Sequence, residues 1–522
     1  MSTERSNQKI PDLLDALAAG WRSIDGKYKT AFFICLVVNV FVYLIFITQQ
    51  PMHNHGILER LLRMNPMEQW PAGRWFSPVV LGMFNFDSLM VVLPVVVICL
   101  HVVGGMLVVR LWTGSLSTFY LTAGGLFMSL YPAVMTSFNF FFVGPLFSLP
   151  HLIAPAIFLV VSRFSVGRIL LGSILTCLMM ASYQPGLSFV ATLFTTYAAV
   201  LCLETKGSLS HASRTLVSKL LPIAIAIVVG VVAYRISLVV LNIKITETTK
   251  TIEFSNFLQR LLFVSKAGVK SLFMTQPEFL APVKYLLFGV LVAGAGSASI
   301  HVLRSNLEAR WIRVVSFATA VLASILATKA MYLVSSNNQL FIYRYNHALG
   351  YLYLFGFWLW FRYTEHNQIS RNFAYVIFAF CLVKFAYADI GRQQVLLRAE
   401  THYLATANRI LYRIESLPGI DLDKSYKIVR LGGFSKFKLD QLSRRGHESD
   451  YIGSTHFDAE LSPVWGPGDI FLFLGTRLKL QGYMNPNFVQ DMNLATQLAR
   501  GRGKWPAADS IFIHEDMIIV NM

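Results

Sequence analysis

The chain has 522 residues, of which 55% are hydrophobic and only 14% are charged, and its formal net charge is +17. Soluble domains carry roughly 25% charged residues, so this composition argues against an ordinary soluble protein and predicts a polytopic membrane protein. Many of the lysines and arginines lie in short connections between apolar runs. We therefore interpret the positive charge as a signal of membrane topology and expect no nucleic-acid partner.

The apolar runs predict a transmembrane bundle. Residues 10–24 are amphipathic and predict a helix on the membrane surface, and the first apolar run follows at residues 30–48. The ten further runs lie at residues 89–111, 117–136, 146–162, 169–181, 187–203, 220–242, 283–303, 314–328, 348–361 and 373–388. A helix of about 20 apolar residues crosses a bilayer. The sequence therefore predicts a mainly α-helical membrane bundle of about eleven transmembrane helices.

Basic residues predict the orientation of this bundle. They occur in the N-terminal segment and in alternate connections, from Arg110 to Arg371. Short cytoplasmic loops carry an excess of Lys and Arg, which places the N-terminus in the cytoplasm. Eleven crossings then place the C-terminal end outside. The long outer connection at residues 243–282 contains a second amphipathic stretch, 254–273, which predicts a helix on the outer surface.

The composition changes after Asp389, where the apolar runs end. The pattern beyond it predicts a helix at residues 400–417 and strands at residues 427–431, 470–474, 511–514 and 517–520, the last two in a hairpin. We predict three parts. Residues 1–29 form a cytoplasmic N-terminal segment with the interfacial helix, residues 30–389 form the transmembrane domain, and residues 390–522 form a small soluble α/β domain outside the cytoplasm.

Several familiar site types are missing from the sequence. The five cysteines lie in or beside apolar runs without a CxxC pair, so we predict neither disulfides nor a structural zinc site. The phosphate-gripping GxxxxGK loop does not occur, which argues against direct use of ATP. If a sugar is transferred, its donor is expected to be in the membrane already, and no cofactor is predicted.

The first long outer loop, residues 49–86, contains two candidate bases. Glu59 and Glu68 lie beside a lipid–water boundary, where a carboxylate can deprotonate a hydroxyl presented from the aqueous side. The alternative for Glu59 is a surface ion pair with Arg60 or Arg63. Glu59 and Glu68 are therefore the first candidates for a general base.

The same loop contains histidines and tryptophans. His53 and His55 are two residues apart and could bind a metal ion, but no third ligand lies nearby, so no metal site is predicted. A solvated loop explains the pair as well. Trp70 and Trp75 indicate the membrane interface, a platform for a sugar ring, or both.

Three basic residues near the outer ends of predicted spans run against the topological charge bias. They are Arg235, Lys329 and Arg344. An intramembrane cation is a functional hypothesis by default, and these residues could hold a lipid-linked phosphate. The alternative is that their side chains extend to lipid headgroups.

Four short motifs follow one another on the predicted outer side. They are Gly73-Arg74-Trp75-Phe76-Ser77-Pro78, Ser137-Phe138-Asn139-Phe140-Phe141, Ser182-Tyr183-Gln184-Pro185 and Tyr343-Arg344-Tyr345-Asn346. Together with the apolar runs, they resemble the Gtr type II glucosyltransferase family, the serotype-converting O-antigen enzymes with a GT-C-like membrane fold.

The resemblance implies a multi-pass enzyme of the bacterial inner membrane with a periplasmic C-terminal domain. Such an enzyme takes a sugar, usually glucose, from a polyprenyl-phosphate carrier and adds it to a lipid-linked glycan acceptor. Glu59 or Glu68 would be the catalytic base. The expected lipid-phosphate ligands are Arg74, Arg235, Arg344 and Lys329. The expected sugar or acceptor contacts are His55, Trp70, Trp75, Tyr183, Gln184 and Asn139. The sequence departs from the paired aspartates expected in the first outer loop, where His53-Asn54-His55 stands instead.

Two other functions remain open. A transporter or flippase of lipid-linked sugars would use the same basic groove without a base, although transporters commonly contain repeated halves and this sequence shows no repeat. An inactive accessory subunit would explain the missing aspartate pair. The sequence does not predict an oligomeric state.

The topology can be tested with C-terminal fusions. We expect an alkaline phosphatase fusion to be active and a green fluorescent protein fusion to be dark, because the charge bias places the C-terminal end outside the cytoplasm. The measurement is phosphatase activity and fluorescence in intact cells at matched expression. The reverse pattern would show an even number of crossings and would contradict the predicted side of every site residue.

Overall fold

The computed structural model describes most of the chain. The described residues are 22–49, 73–83, 92–114, 117–139, 144–162, 164–243, 257–273, 281–305, 308–333, 346–421, 423–431, 476, 479–480 and 488–522. The predicted surface helix at residues 10–24 lies almost wholly outside this part, and the predicted strand at residues 470–474 lies outside it entirely.

Helices dominate the described part of the chain up to residue 415. The first seven are α1 (Gly26–Val42), α2 (Leu44–Thr48), α3 (Ser77–Gly82), α4 (Val92–Thr113), α5 (Thr118–Leu130), α6 (Met135–Asn139) and α7 (Gly144–Val160). The next eight are α8 (Val166–Ser182), α9 (Gly186–Glu204), α10 (Leu209–Val240), α11 (Phe257–Phe273), α12 (Ala281–Arg304), α13 (Arg310–Ala327), α14 (His347–Tyr363) and α15 (Gln368–Glu415). Short 3₁₀ turns occur at Pro132–Val134 and Ala330–Leu333.

Six of these helices contain a stretch long and apolar enough to cross a membrane. The stretches are Val92–Thr113, Gly186–Glu204, Leu209–Val240, Pro282–Arg304, Arg310–Ala327 and Gln368–Gln394. Three shorter apolar helices, α5, α7 and α8, accompany them. The prediction of a helical membrane protein is confirmed, whereas the number of eleven crossings stays a prediction. Within the predicted amphipathic stretch at 254–273, residues 257–273 are helical as α11, as predicted, and residues 254–256 lie outside the described residues.

Close helix contacts depend on glycine. Helices α4 and α5 cross at Gly105 and Gly124, where a Cβ atom added to Gly105 would lie 2.2 Å from the carbonyl oxygen of Gly124. Any larger residue would force the two backbones apart. Small residues at such crossings let membrane helices approach closely. The resulting van der Waals contacts stabilise the pair, because the hydrophobic effect does not hold helices together in lipid.

Helix α15 connects the bundle to a C-terminal α/β unit. The apolar run at residues 373–388 and the helix predicted at residues 400–417 form one continuous helix, which passes through the predicted domain boundary at residues 389–390. The remaining elements are β1 (Ser425–Leu431), β2 (Lys479–Leu480), α16 (Phe488–Leu498), a 3₁₀ turn (Ala508–Ser510), β3 (Ile511–His514) and β4 (Met517–Asn521).

The four strands form a sheet in the order β2-β1-β4-β3. Strand β1 is parallel to β2 and β4, whereas β3 and β4 form the predicted antiparallel hairpin. Ile410 and Ile414 of α15 pack against one face of this sheet, and Ala495 of α16 packs against the other. Alternate residues of β4 pack on opposite faces of the sheet, because successive side chains of a strand point in opposite directions.

A buried ion pair joins α15 to the first helices. Asp389 and Arg392 are 0% and 7% exposed, and their side chains are 3.1 Å apart. The hydroxyl of Tyr43 lies 2.8 Å from the other Asp389 oxygen, and Arg392 donates to the carbonyl of Pro132. One helical turn therefore contacts the residue after α1 and the 3₁₀ turn after α5.

We expect Asp389→Leu to lower stability by about 3–5 kcal/mol, because it leaves the buried Arg392 guanidinium without this carboxylate. The double variant Asp389→Leu/Arg392→Met should recover most of the loss. The measurement is unfolding of the purified protein in detergent. The exposed pair Arg362–Glu365 supplies the control, and Glu365→Leu should cost less than about 1 kcal/mol. Equal losses in the single and double variants would contradict a dominant ion pair.

Candidate functional site

The structure describes about half of the residues that the sequence singles out. Glu59, Glu68, His55, Trp70 and Arg344 lie outside the described residues, as do His53 and Asn54. Asn139 ends α6, and only its backbone belongs to the described part. The described candidates are Arg74, Trp75, Tyr183, Gln184, Arg235 and Lys329.

Arg74 lies against two aromatic rings from different helices. Its guanidinium carbon is 5.0 Å from the ring centre of Phe147 in α7 and 5.5 Å from that of Tyr183, which follows α8. The two rings are themselves 4.6 Å apart. A guanidinium stacks well on aromatic faces, so the rings restrict the orientation of the charge. Arg74 is therefore a fixed cation at one end of the bundle.

The turn that carries Arg74 is held by hydrogen bonds. The Tyr234 hydroxyl of α10 donates to the Gly73 carbonyl at 3.2 Å, and the Gln184 amide donates to the Tyr234 oxygen at 3.1 Å. Gly73 has φ +75°, and a Cβ atom there would lie 2.6 Å from the Tyr234 hydroxyl oxygen. Only glycine fits this conformation and this contact without strain. The motifs at residues 73–78 and 182–185 therefore meet, although more than 100 residues separate them.

Trp75 and Arg235 flank this turn. Trp75 packs against a cluster that includes Ala181 and Leu238, and the Phe76 amide donates to the Ala181 carbonyl at 3.3 Å. The guanidinium of Arg235 is 5.9 Å from the ring centre of Tyr234 and is partly exposed. The structure therefore brings Arg74, Trp75, Tyr183, Gln184 and Arg235 to one end of α8 and α10.

Lys329 belongs to the same end of the bundle. It is only 1% exposed, and its ammonium group donates to the side-chain oxygen of Asn346, just before α14. Tyr332, three residues later, packs in one apolar cluster with Phe147 and Tyr183, the rings that contact Arg74. The segment after α13 therefore links a buried lysine to the surroundings of Arg74. We call Arg74, Lys329 and the rings of Phe147 and Tyr183 the cationic cluster.

Three buried histidines form a second group, which sequence analysis missed. His101 of α4, His151 of α7 and His347 of α14 are 0%, 1% and 2% exposed. Each offers one ring nitrogen such that the three nitrogens lie within 4.8 Å of one another. Nε2 of His151 is 2.9 Å from Nδ1 of His347, and the ring centres of His101 and His151 are 4.1 Å apart. This arrangement is the candidate metal centre of the described part of the chain, and we call it the histidine cluster.

A close helix contact brings two of these rings together. A Cβ atom added to Gly104 of α4 would lie 2.4 Å from the carbonyl oxygen of His151 in α7. Pro155, four residues after His151, has no N–H, so the His151 carbonyl does not accept the usual hydrogen bond of an α-helix from that position. The sequence contained one signal for the cluster, since each histidine lies in or beside an apolar run, where ionisable residues are rare.

The comparisons with known proteins agree with the motifs. A sequence model of the family Glucosyl transferase GtrII matches residues 57–361, which is more than half of the chain. No match was found among curated proteins or among solved structures. The matched region includes both the cationic cluster and the histidine cluster. The resemblance inferred from the four motifs is thereby confirmed, and the protein belongs to the GtrII family of glucosyltransferases.

Proposed function

We propose that the protein transfers glucose from a polyprenyl-phosphate donor to a lipid-linked surface polysaccharide such as O-antigen, on the periplasmic face of the bacterial inner membrane. Family membership supports glucosyl transfer, and the long apolar helices support a reaction on lipid-linked substrates. The observation that carries the proposal is the cationic cluster, in which Arg74 lies against two rings and the buried Lys329 belongs to the segment whose Tyr332 packs with those rings.

The cationic cluster suits the leaving group of such a reaction. When the bond between the anomeric carbon and the phosphate oxygen breaks, the electron pair stays on that oxygen and the negative charge of the lipid phosphate increases. Cations that are already oriented stabilise this charge without reorganisation, which lowers the barrier. Arg74 can grip two phosphate oxygens with its planar fork, and Lys329 adds a point charge. Arg235 and Arg344 complete the proposed phosphate site.

The acceptor supplies the other half of the reaction. Glu59 or Glu68 takes the proton from the acceptor hydroxyl, whose oxygen forms the new bond to the anomeric carbon as the lipid phosphate leaves. This direct displacement inverts the anomeric configuration. Trp75, Tyr183 and Gln184 would contact the sugars, together with His55, Trp70 and Asn139. The proposed architecture is GT-C-like, with the C-terminal domain in the periplasm.

A reconstituted assay tests the proposal. The purified protein in lipid nanodiscs receives polyprenyl-phosphate glucose and a lipid-linked glycan, and mass spectrometry follows the acceptor. A gain of one hexose with release of polyprenyl phosphate supports the proposal. An unmodified acceptor, combined with donor movement across the bilayer in proteoliposomes, would contradict it and identify a flippase. Deletion of the gene should remove the same glucose from the surface polysaccharide.

Arg74 offers a sharp test of the phosphate site. Arg74→Ala should lower kcat by roughly 10²–10³-fold, because it removes a fixed donor to the developing charge. Arg74→Lys keeps the charge but loses the fork, and should fall between the wild type and Arg74→Ala. Arg502 supplies the control, since its guanidinium lies 3.7 Å from the ring centre of Phe512 in the C-terminal unit. Arg502→Lys should leave kcat unchanged. Full activity of Arg74→Lys would show that two-point binding of the phosphate by the guanidinium is not needed for catalysis.

Lys329 tests whether a buried charge contributes. We expect Lys329→Met to lower kcat at least tenfold while the protein still inserts and accumulates, because one cation beside the leaving phosphate is lost. Lys384 supplies the control, since it is a lysine of the apolar part of α15 that lies near the rings of Phe380 and Tyr387. Lys384→Met should keep the wild-type rate. Normal turnover by Lys329→Met would show that this lysine serves the fold alone.

A further inference from the structure

The three histidines lie in buried surroundings, where a polar ring nitrogen needs a partner. The chain folds three separate helices, α4, α7 and α14, so that these rings meet in a region that is almost fully buried. Polar side chains inside a membrane bundle are expensive and therefore call for a specific partner. Phe189 of α9 closes one side of the cluster, with its ring centre 4.4 Å from that of His151.

The hydrogen bonds of the cluster bring two imidazole nitrogens face to face. His151 pairs its Nδ1 with the Tyr351 hydroxyl at 2.9 Å, which leaves Nε2 to face Nδ1 of His347 at the same distance. Two imidazole nitrogens this close need a positive group between them, either a proton or a metal ion. If His151 donates its Nδ1–H to the Tyr351 hydroxyl, its Nε2 carries the lone pair and can bind a metal ion.

His101 supplies an independent observation. Its Nε2 lies 3.1 Å from the Ser148 hydroxyl, while its Nδ1 is buried without a hydrogen-bond partner. A buried polar atom without a partner destabilises the fold, because nothing compensates for its lost contact with water. A metal ion at the cluster would bind this nitrogen. Ser148 and Tyr351 would then hold the far sides of two ligand rings, as outer-shell partners of metal-binding histidines commonly do.

We propose that His101 Nδ1, His151 Nε2 and His347 Nδ1 bind one transition-metal ion of the class that prefers imidazole nitrogen, namely Zn²⁺ or Cu⁺. Zinc binds imidazole at about 2.0–2.1 Å, which puts tetrahedral ligands about 3.3 Å apart. One ring nitrogen from each of the three histidines already lies within 4.8 Å of the other two. Changes of about 1.5 Å or less in the separations between these nitrogens would convert the cluster into such a site.

The donor set restricts the metal. The cluster, as far as the structure describes it, contains three imidazoles and neither a carboxylate nor a thiolate. Mg²⁺ and Ca²⁺ prefer oxygen ligands and are therefore excluded, whereas Zn²⁺ and copper suit imidazole. Three neutral rings add no negative charge, so Cu⁺ places less net charge in the apolar bundle than Zn²⁺ does. A fourth position on Zn²⁺ is left for water or hydroxide.

The metal would act as a positioning element for the cationic cluster. His347 begins α14 directly after Asn346, which accepts the hydrogen bond from Lys329. A metal ion that ties α14 to α4 and α7 therefore holds the partner of that lysine in place. Because metal binding does not depend on which sugar is transferred, this inference stands or falls independently of the proposed function.

Direct metal binding tests the proposal. The full-length protein, purified in detergent with a tag that lacks histidine, is stripped with chelator and dialysed against Zn²⁺, or against Cu⁺ without oxygen. Mass spectrometry of the elements should find one ion per chain, and X-ray absorption on the zinc-loaded protein should find three nitrogens at about 2.0–2.1 Å. Mg²⁺ should not bind. The absence of both Zn²⁺ and Cu⁺ would overturn the site and leave a hydrogen-bonded network.

Variants separate this site from adventitious binding. His101→Gln and His347→Gln should each weaken metal affinity at least about 100-fold, whereas His211→Gln, at an exposed position of α10, should change nothing. Tyr351→Phe keeps all three ligands and should weaken affinity about 10–100-fold. This variant remains informative if a histidine variant fails to fold. The metal should also raise the unfolding temperature of the wild type and not that of His101→Gln. Equal metal content in all variants would overturn the proposal.

Discussion

Polar side chains in an apolar helical bundle must find their partners within the protein, because lipid tails offer no hydrogen bonds. In the described part of the bundle, several polar side chains meet this constraint by joining helices that are distant in the sequence. Asp389 and Arg392 of α15 contact the hydroxyl of Tyr43 and the carbonyl of Pro132. These contacts select one arrangement of helices from the many that similar apolar surfaces would allow.

The cationic cluster follows from the same constraint. Arg74 is stabilised by two aromatic faces, and the turn that carries it is held by Tyr234 and Gln184. Gly73 makes this possible, since its positive φ and the nearby Tyr234 hydroxyl leave no room for a side chain. The proposed phosphate site is therefore preorganised by packing, which is the property that electrostatic stabilisation of a leaving group requires.

The histidine cluster extends this picture into the bundle interior. It borders the cationic cluster through the neighbours Asn346 and His347. A metal ion there would take the place of the proton between Nε2 of His151 and Nδ1 of His347 and would bind both nitrogens directly. Catalysis and metal binding would then share one structural element, the beginning of α14, although only the cationic cluster is proposed to contact substrate.

The sequence by itself determined the class of the protein and its family. Apolar runs are recognisable from composition because membrane-spanning helices need about 20 apolar residues. The four motifs identified the GtrII family, since they are local patterns that survive without knowledge of the fold. The hairpin at residues 511–520 was also readable, because alternating strand residues and a short polar turn are local signals.

Only the tertiary structure decided which residues meet. Gly73 contacts Tyr234, which lies 161 residues later in the sequence. His347 likewise meets His101 and His151 across more than 190 residues of sequence. No periodicity within one helix specifies which face turns towards a particular neighbour in an apolar bundle. The continuity of α15 was missed for a related reason, since the change in composition after Asp389 marks a change of environment and not the end of a helix. Three isolated histidines become one cluster only when glycine contacts such as Gly104–His151 bring the backbones together.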